Sequence, residues 1–240
     1  MYKRIILKLS GETLAPETTP ADKSKSVTFD ESRILNAAGM IGRLADMGIQ
    51  VGVVMGGGNI WRGRFSSEMD AVSADQMGML ATIINALAVR EALARIGRKV
   101  TVFTAQEMPR FAELYRADRA DACLNNGEIV LLAGGSGNPF FTTDTAAALR
   151  ALELRADAVF KGTTVDGIFD SDPRKNPNAK LLKDITYQEA LDKNLKVMDA
   201  TAFQLCMDQH LPCIHVFNMD NLENILAVAS GKDLGTVVHA

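Results

Sequence analysis

The stretch EIVLLAGGSGNPFFTTDTAAALRALEL, residues 128–154, contains in order an apolar run, a glycine loop and the start of a helix. Its apolar run Ile129–Ala133 is typical of a strand buried in a parallel sheet. The small residues at 134–137 let backbone N–H groups approach a ligand closely. The Thr-Thr-Asp sequence at 142–144 then stands where a helix begins, and the unpaired N–H groups of a helix N-terminus favour an anion. This order favours a phosphate-binding turn at the carboxyl end of a strand; a plain capped turn is the alternative.

The composition of the 240-residue chain is typical of a soluble globular protein, with 47% hydrophobic and 23% charged residues. A chain of this length can bury one large core, so we expect a single domain over residues 1–240. The net charge of −3 argues against a nucleic-acid partner, which would require a basic face. No apolar run approaches the roughly 20 residues of a membrane span, and the N-terminus lacks the pattern of a signal peptide. We therefore expect neither nucleic acid nor a membrane among its partners.

Neither the cysteines nor the histidines show the spacing of a disulfide framework or a metal site. The cysteines are odd in number and lack a C-x-x-C pair, which favours reduced core thiols and a cytoplasmic location. The histidines occur late in the chain and are expected to be surface or packing residues rather than metal ligands. These residues are Cys123, Cys206, Cys213, His210, His215 and His239.

A lysine interrupts the first predicted strand, at 5–9, whose other residues are apolar. Lys8 has two interpretations. It is either an edge-strand lysine that discourages aggregation, or a cation delivered to a phosphate beside the turn Ser10-Gly11. The following residues, 13–27, are rich in Pro, Thr, Lys and Ser and predict a mobile loop.

The loop at 134–137 is the second glycine loop along the chain, and the first follows a predicted buried strand at 49–55. Its sequence GGGNIWRG, residues 56–63, does not fit the dinucleotide pattern G-x-G-x-x-G, because Trp61 occupies the position of the third glycine. The chain also lacks the P-loop pattern G-x-x-x-x-G-K-[ST]. The loop offers exposed backbone N–H groups with Arg62 close by, a combination that suits a second anion.

Hydrophobic periodicity and capping residues predict the remaining elements. Helices are predicted to begin at capping boxes 28–31 and 186–189 and at Ser73, Asp199 and Asp220, with a further helix at 112–124. Strands are predicted at 100–103, 158–161, 214–217 and, at an edge of the sheet, 236–238. Strands and helices alternate throughout, which predicts an α/β protein: a three-layer α/β/α sandwich with a mostly parallel central sheet.

Two further polar features have open interpretations. Asp75 lies in the predicted first turn of the Ser73 helix, where it either complements the helix dipole or binds a polar ligand. The segment 162–179 is a long polar loop, and such a loop inside a compact domain is usually functional. Phe169 within that loop suits a purine ring.

The glycine loops together with Lys8, Arg62, Lys161 and Asp144 predict a site for several phosphates. Phosphoryl transfer needs mainly alignment and cationic neutralisation of the transferred group. The lack of a suitable histidine as general base does not exclude this reaction. An acceptor phosphate with a second pKa of about 6 is already largely ionised at neutral pH.

Six ordered motifs, covering nearly the whole chain, resemble those of the bacterial uridylate (UMP) kinases of the amino acid kinase superfamily. They are KLSGE (8–12), GVVMGGGNIWRG (52–63), ADQMGMLAT (74–82), GSGNPFFTTDTAA (135–147), KGTTVDGIFDSDP (161–173) and KVMD (196–199). A single glycine loop is weak evidence, whereas the ordered set is specific. The GNPFFTTD motif points to uridylate kinases rather than to their carbamate or acetylglutamate relatives.

The resemblance implies transfer of the γ-phosphoryl group of ATP to UMP, giving UDP and ADP in pyrimidine nucleotide (CTP/UTP) biosynthesis. It implies that the ATP phosphates bind Lys8, Ser10, Gly11, Gly58 and Arg62, and the adenosine Thr163, Thr164, Phe169 and Asp172. It implies that UMP binds Gly57, Asp75, Ser136, Gly137, Asn138, Pro139, Phe140, Phe141, Thr142 and Thr143. Transition-state charge would be neutralised by Lys8, Arg62 and Lys161, with the lysines and the metal-bound nucleotide oriented by Asp144 and Asp199.

The resemblance also implies Mg²⁺ that arrives with ATP, held mostly by phosphate oxygens and water, a homohexamer, activation by GTP and inhibition by UTP. Many uridylate kinases follow the KLSGE turn with a segment of the form GFG-apolar-Asp, which is associated with the GTP response. Here residues 13–30 contain no glycine, two prolines remove N–H donors, and Glu17 and Asp22 would repel a triphosphate. We therefore predict weak or absent activation by GTP, although Lys23 and Lys25 could attract an anion.

Two other functions remain open from the residues. Members of this superfamily can keep the nucleotide fold as storage or regulatory binding proteins, and loss of the charged centre would indicate that role. A kinase of another small acid is the second alternative. The charged centre is intact in this chain, with Lys8, Arg62, Asp144, Lys161 and Asp199 all present.

Overall fold

The computed structural model describes residues 2–16, 28–62, 69–195 and 197–240. Its strands are β1 (Arg4–Leu9), β2 (Gln50–Met55), β3 (Val100–Thr104), β4 (Glu113–Leu114), β5 (Ile129–Ala133), β6 (Ala158–Thr163), β7 (Ile168–Phe169), β8 (Leu181–Leu182), β9 (Asp184–Thr186), β10 (Cys213–Asn218) and β11 (Thr236–His239). Nine of these form one sheet in the order β4-β3-β5-β2-β1-β6-β10-β11-β9. Only β10 and β11 are antiparallel neighbours in it. β7 and β8 form a separate antiparallel pair.

Helices cover both faces of this sheet. They are α1 (Glu31–Asp46), α2 (Ala71–Arg95), α3 (Ala117–Asn125), α4 (Thr143–Glu153), α5 (Tyr187–Asp192), α6 (Ala200–Asp208) and α7 (Glu223–Ala229), with one 3₁₀ turn at Gly11–Leu14. One hydrophobic core joins the sheet to α1, α2 and α7, and the other joins it to α3, α4, α5 and α6. The predicted three-layer sandwich with a mostly parallel sheet is confirmed.

The long apolar runs are the part of the fold that the sequence predicted best. Strands predicted at 5–9, 49–55, 100–103, 129–133, 158–161 and 214–217 are confirmed as β1, β2, β3, β5, β6 and β10. The reason is physical, since a strand of a parallel sheet is covered on both faces and must be apolar almost throughout.

Lys8 lies in the middle of the sheet. β1 pairs with β2 on one side and with β6 on the other, so the edge-strand interpretation of this lysine is wrong. Along β1, Ile5 and Leu7 enter one core while Ile6 enters the other, and Lys8 shares the face of Ile6. That face is the one covered by α4, which brings the lysine ammonium toward the first turn of that helix.

Two helix caps differ from the prediction. The α1 cap is Asp30, which accepts from the Arg33 N–H, instead of the predicted capping box at 28–31. Likewise Asp70 caps α2 by accepting from the N–H of Ser73, so Ser73 is the residue being capped. Asp, Ser and Thr are all favoured caps, so residue type alone does not decide between two nearby candidates. The predicted capping box at 186–189 is confirmed.

The remaining corrections concern short elements. The segment predicted as helix at 112–124 is divided between strand β4 and helix α3. Helix α7 begins after Leu222, and Asn221 rather than Asp220 accepts from the Glu223 N–H. β11 is not the edge of the sheet, because the three-residue strand β9 pairs outside it. Of the loop predicted at 13–27, residues 17–27 lie outside the described part of the chain, and residues 13 and 14 belong to the 3₁₀ turn.

Helix α2 is long and apolar enough to cross a membrane, by length and composition only. Core helices of soluble proteins meet the same criterion, and Ile83, Ala86 and Val89 of α2 are buried in the core shared with α1. Its other side exposes Leu80 and Ile84. One side of α2 thus packs into the core, and the other leaves apolar side chains exposed.

Candidate active site

Strand ends from the centre of the sheet meet at one edge of the fold. β1 continues into Ser10-Gly11, β2 into the glycine loop 56–58, and β5 into the glycine loop 134–137. β6, beside β1, carries Lys161. Because β5, β2, β1 and β6 are neighbours, the four segments lie together at the carboxyl edge, where α/β folds bind their ligands.

The lysines of β1 and β6 share one carboxylate. Lys8 and Lys161 are aligned on the neighbouring strands. Asp144, in the first turn of α4, bonds Lys161 Nζ through its Oδ2, and its Oδ1 lies 3.6 Å from Lys8 Nζ. Lys8 Nζ also donates to Ser10 Oγ at 3.2 Å. The three charged side chains therefore form one ion-pair cluster at the floor of the site.

Burial and charge act in opposite directions on this cluster. Burial opposes ionisation of Asp144, but the adjacent ammonium groups of Lys161 and Lys8 outweigh it and lower the pKa of the Asp144 carboxyl. Burial lowers the pKa of Lys161, and the Asp144 carboxylate offsets only part of that effect. Asp144 is thus the ionised anchor of the cluster.

Asp199 holds the start of two helices together. Its Oδ1 caps α6 by accepting from the Ala202 N–H at 2.9 Å and also accepts from Thr145 Oγ1 at 2.9 Å. Its Oδ2 accepts from the hydroxyl of Thr142, the residue that caps α4. Asp199 therefore positions the α4 N-terminus that carries Asp144, and it acts on Lys161 only through the electrostatic field.

Two clefts open at this edge, with volumes of about 630 and 600 Å³. The predicted site residues that line the first cleft are Lys8, Ser10, Gly11, Gly57, Gly58, Thr142, Thr143, Asp144 and Asp199. Those that line the second cleft are Gly57, Gly58, Arg62, Asp75, Ser136, Phe140, Phe141, Thr142 and Thr143. Glu12, Gly57, Gly58, Thr142 and Thr143 line both. Two ligands bound in these clefts would therefore meet at the shared residues.

Arg62 is held by protein groups at this meeting point. Its Nη2 donates to Glu12 Oε1 at 2.7 Å, and its Nε donates to the Gly58 carbonyl at 2.9 Å. The Glu12 carboxylate lies against Gly58, where a Cβ would stand 2.3 Å from Oε1, so a side chain at this position would displace the carboxylate. The ion pair is half exposed and contributes little stability. A bound phosphate can therefore replace Glu12 as the ion-pair partner of Arg62.

Asp75 anchors the aromatic corner of the second glycine loop. Its Oδ2 accepts from the Phe140 N–H at 2.6 Å, and Phe140 has a left-handed backbone with φ of 70°. The side chain of Phe140 is 73% exposed and that of Phe141 is 50% exposed. Because α2 begins at Ala71, Asp75 is not in the first turn, and its interpretation as a dipole-complementing acid is wrong.

Some predicted site residues line neither cleft. Lys161 is only 7% exposed and acts beneath the floor through Asp144. Within the second glycine loop, Gly137 accepts from Gln106 Nε2, Asn138 bonds Ser136, and Pro139 follows them. The residues assigned to adenosine are Thr163 at the end of β6, Thr164 bonded to Arg174, Phe169 in β7, and Asp172, which accepts from the Arg174 N–H.

The sequence reasoning missed one wall of the first cleft. This wall is apolar apart from one amide and joins the end of α5 to the start of α6. It consists of Ala190, Leu191, Asn194, Leu195, Val197, Met198, Ala200 and Phe203. Nothing in such a sequence distinguishes residues that face a ligand from residues that face a core. Only the KVMD motif, which contains Val197 and Met198 of this wall, could have drawn attention to it.

Comparison with known proteins identifies the family. The sequence profile of the amino acid kinase family matches residues 3–218. The chain belongs to this family. Among curated members of the amino acid kinase family, a uridylate kinase from Bacteroides thetaiotaomicron is 49% identical over 240 residues, covering 99% of this chain and 98% of that protein. A uridylate kinase from Parabacteroides distasonis is 48% identical, with the same coverage.

Solved structures of kinases show the same architecture. A UMP kinase from Bacillus anthracis has a TM-score of 0.92 and 38% identity, covering 99% of this chain and 96% of its own. A UMP kinase from Ureaplasma parvum has a TM-score of 0.90 and 36% identity, with 100% of both chains covered. The match over whole chains extends the amino acid kinase fold to every element described above.

Proposed function

We propose that this chain is a single-domain kinase that transfers the γ-phosphoryl group of ATP to UMP, giving UDP and ADP in pyrimidine nucleotide synthesis. The observation that carries the proposal is the pair of clefts sharing Gly57, Gly58, Thr142 and Thr143, with a lysine–aspartate cluster at the floor. Two phosphorylated ligands placed there bring a donor and an acceptor phosphate together. The uridylate and UMP kinases that the chain resembles over its full length support the choice of acceptor.

The reaction needs alignment and charge neutralisation more than proton transfer. The first cleft takes the ATP phosphates on Lys8, Ser10, Gly11 and Gly58, and adenosine binds toward Thr163, Thr164, Phe169 and Asp172. Lys8 and Arg62 neutralise the equatorial oxygens of the group in transfer, and Lys161 contributes its charge from beneath the floor through Asp144. Asp144 and Asp199 keep the cluster oriented. Because the second pKa of an acceptor phosphate is about 6, UMP attacks as the dianion without a general base.

The second cleft takes UMP. Asp75 and Gly57 bind its sugar and phosphate, and the loop Ser136–Thr143 encloses the base between Phe140 and Phe141. Uracil presents an N3–H donor between two carbonyl acceptors, whereas cytosine reverses part of that pattern. An unmatched buried polar group costs about 1–3 kcal/mol, so UMP is preferred over CMP.

Magnesium accompanies ATP in this proposal. Among the residues that the structure describes, no group of three or more His, Cys, Asp or Glu side chains could hold a metal ion. Asp144 Oδ1 is a buried carboxylate oxygen with no hydrogen bond, and it lies 3.6 Å from Lys8 Nζ, so the protein would offer at most one oxygen beside the phosphate cleft, shared with that lysine. This donor set fits an ion held mostly by phosphate oxygens and water. When bound, the ion would supply further neutralisation of the phosphate charge.

The test is a steady-state assay of ADP release with UMP, CMP or carbamate as acceptor, with and without Mg²⁺. Mg-dependent UDP formation with a preference of at least about 10-fold for UMP over CMP is expected. ATP binding without UDP formation would instead indicate a regulatory binding protein. Preference for carbamate would indicate a kinase of another small acid.

The assembly and regulation of the enzyme are part of the proposal. The exposed apolar residues Met77, Leu80 and Ile84 of α2 support a homo-oligomer, for which the family resemblance implies a hexamer. Cytoplasmic location, inhibition by UTP and a weak or absent response to GTP follow the expectations from sequence. UMP saturation curves at fixed Mg-ATP test the last point. A several-fold rise in kcat/KM with GTP, lost when residues 13–27 are shortened, would contradict it.

A further inference from the structure

A buried pair of amides lies beneath the phosphate-binding loops. Asn85 is 0% exposed inside α2, and burying an amide is unfavourable unless its polar groups are bonded. Its Nδ2 donates to the Gly56 carbonyl at 2.6 Å and to Asn59 Oδ1 at 2.8 Å, and its Oδ1 accepts from Asn59 Nδ2 at 3.1 Å. Both the Nδ2 and the Oδ1 of the Asn85 side chain are therefore satisfied by the first glycine loop.

The same pair contacts the turn after β1. A Cβ on Gly11 would lie 2.3 Å from Asn59 Oδ1, 2.9 Å from the Gly58 nitrogen and 3.0 Å from Asn85 Nδ2. Gly11 therefore packs directly on the two amides and on the loop they hold. Both segments proposed to bind ATP phosphates thus rest on one hydrogen-bonded pair.

Helix α2 also holds the second glycine loop. Thr82, less than one turn before Asn85, accepts from the Gly134 N–H at 2.8 Å through its hydroxyl. That hydroxyl donates to the Met79 carbonyl at 2.7 Å, which fixes its orientation. One buried stretch of helix therefore sets the positions of both glycine loops.

We propose that Asn59 and Asn85 are positioning residues for phosphoryl transfer, which preset the Gly11 and Gly58 backbone around the ATP phosphates. This inference rests on the phosphate site proposed above. Preset N–H groups need not reorganise during the reaction, and small misplacements of such groups lower rates strongly. Apolar side chains could fill the same space, but only directed hydrogen bonds fix the spacing between the two segments.

The decisive variant is Asn85→Asp, which keeps the shape but replaces the donating Nδ2 with a carboxylate oxygen. That oxygen faces the acceptors Gly56 O and Asn59 Oδ1, so the loops should separate when it is ionised. Protonation restores one donor, and burial raises the pKa of such a carboxyl into the assay range. We expect kcat/KM for ATP to be at least tenfold below wild type at pH 8.5. The ratio of the variant's kcat/KM to that of wild type should be at least threefold higher at pH 6 than at pH 8.5.

The matched control is Leu93→Ala, another fully buried residue of α2, which lies in the core and away from the loops. It should lower the thermal midpoint while leaving kcat/KM near wild type at temperatures where the protein is folded. Activity of Asn85→Asp within twofold of wild type at pH 8.5 would overturn the inference. An equal loss of kcat/KM in Asn85→Asp and Leu93→Ala that does not depend on pH would also overturn it.

A second variant covers the case in which Asn85→Asp does not fold. Asn59→Ala changes a partly exposed loop residue and should raise the Kd of ATP at least fivefold, with the Kd of UMP within twofold of wild type. An unchanged Kd of ATP would overturn the inference. Lys8→Met separates the two proposals: if it retains activity, the phosphate site is misassigned. If it is inactive while both asparagine variants are normal, only the positioning role is wrong.

Discussion

At the scale of single residues, the centre of the site depends on one carboxylate shared by two lysines. Asp144 contacts Lys161 and Lys8, and no other residue neutralises both ammonium groups within the described structure. While both lysines are protonated, the cluster carries one net positive charge beside the first cleft. Because the carboxylate fixes where that charge stands, the proposed function gives Asp144 a role in phosphate transfer that needs no contact with the base or the sugar.

Asp144→Asn keeps the shape of the side chain and removes its charge. We expect kcat to fall by roughly 100-fold or more, since a preorganised electrostatic group is lost from the transition state. The free energy of unfolding should fall by only about 1–3 kcal/mol, because a buried lysine can lose its proton instead. Steady-state kinetics and urea unfolding measure the two effects. The control is Asp46→Asn, which breaks an exposed pair with Arg98 and should leave kcat unchanged. If kcat is also unchanged in Asp144→Asn, Asp144 is not a catalytic residue.

The pH dependence of stability isolates the same carboxylate. The folded-state pKa of Asp144 is lowered from its ordinary value of 3.8, against the effect of burial, by Lys161 and Lys8. Such a group contributes stability above its unfolded pKa and loses that contribution as pH falls through its folded pKa. The difference in unfolding free energy between wild type and Asp144→Asn should therefore be constant at neutral pH and shrink below about pH 4. Urea unfolding from pH 3 to 7 measures it, and a difference that widens in acid would contradict the assignment.

At the scale of elements, a short hydrogen-bond network holds the first turn of α4 and thereby positions Asp144. The hydroxyl of Thr142 accepts from the N–H groups of Asp144 and Thr145 and donates to Asp199, which itself caps α6. The caps of α4 and α6 are thus joined. Helix α5 has an equally regular capping box at Thr186 and Glu189, but that cap makes no bond to the site.

These two caps provide a matched pair of variants. Thr142→Ala and Thr186→Ala should each lower stability by about 1 kcal/mol, the ordinary value of an N-cap. Only Thr142→Ala should also lower kcat, by about 10-fold, because the loss of its bond to Asp199 releases the first turn of α4. Thermal unfolding and kinetics on both proteins check this. Equal activity in the two variants would show that the link between Thr142 and Asp199 is only structural.

At the scale of the whole molecule, α2 has two different sides. One side is buried and holds both glycine loops through Asn85 and Thr82. The other exposes Met77, Leu80 and Ile84 at 40%, 51% and 47%, an apolar surface that favours contact with another protein surface. In the proposed homo-oligomer, the helix that positions the loops also forms a subunit contact.

Charge on that surface should weaken the assembly. Leu80→Glu and Ile84→Glu place a carboxylate within an apolar contact, where desolvation is unfavourable, so the molar mass in solution should fall. The matched control is Gln76→Glu, which adds the same charge at an exposed polar position of α2. Light scattering after gel filtration measures the mass. A mass unchanged in all three variants would place any subunit contact elsewhere.

The sequence by itself determined the layered fold and the segments that form the site. Short apolar runs such as Ile129–Ala133, bounded by turn residues, are typical of buried strands between helices, and glycine loops at their carboxyl ends predict where ligands bind. These signals are local, because each depends on residues within one or two turns of each other. The same holds for the caps at Thr142, Thr186 and Asp199, whose partners are two or three residues away.

Only the tertiary structure decided which distant residues meet. Strand β9 has three residues and pairs with β11, which lies more than fifty positions later in the chain. No local pattern could therefore predict it. The pairing of Glu12 with Arg62 and the buried amides of Asn59 and Asn85 likewise join separate segments across the sheet edge. An asparagine inside an apolar helix gives no sign of its partner, because burial becomes favourable only when the opposing loop supplies its hydrogen bonds.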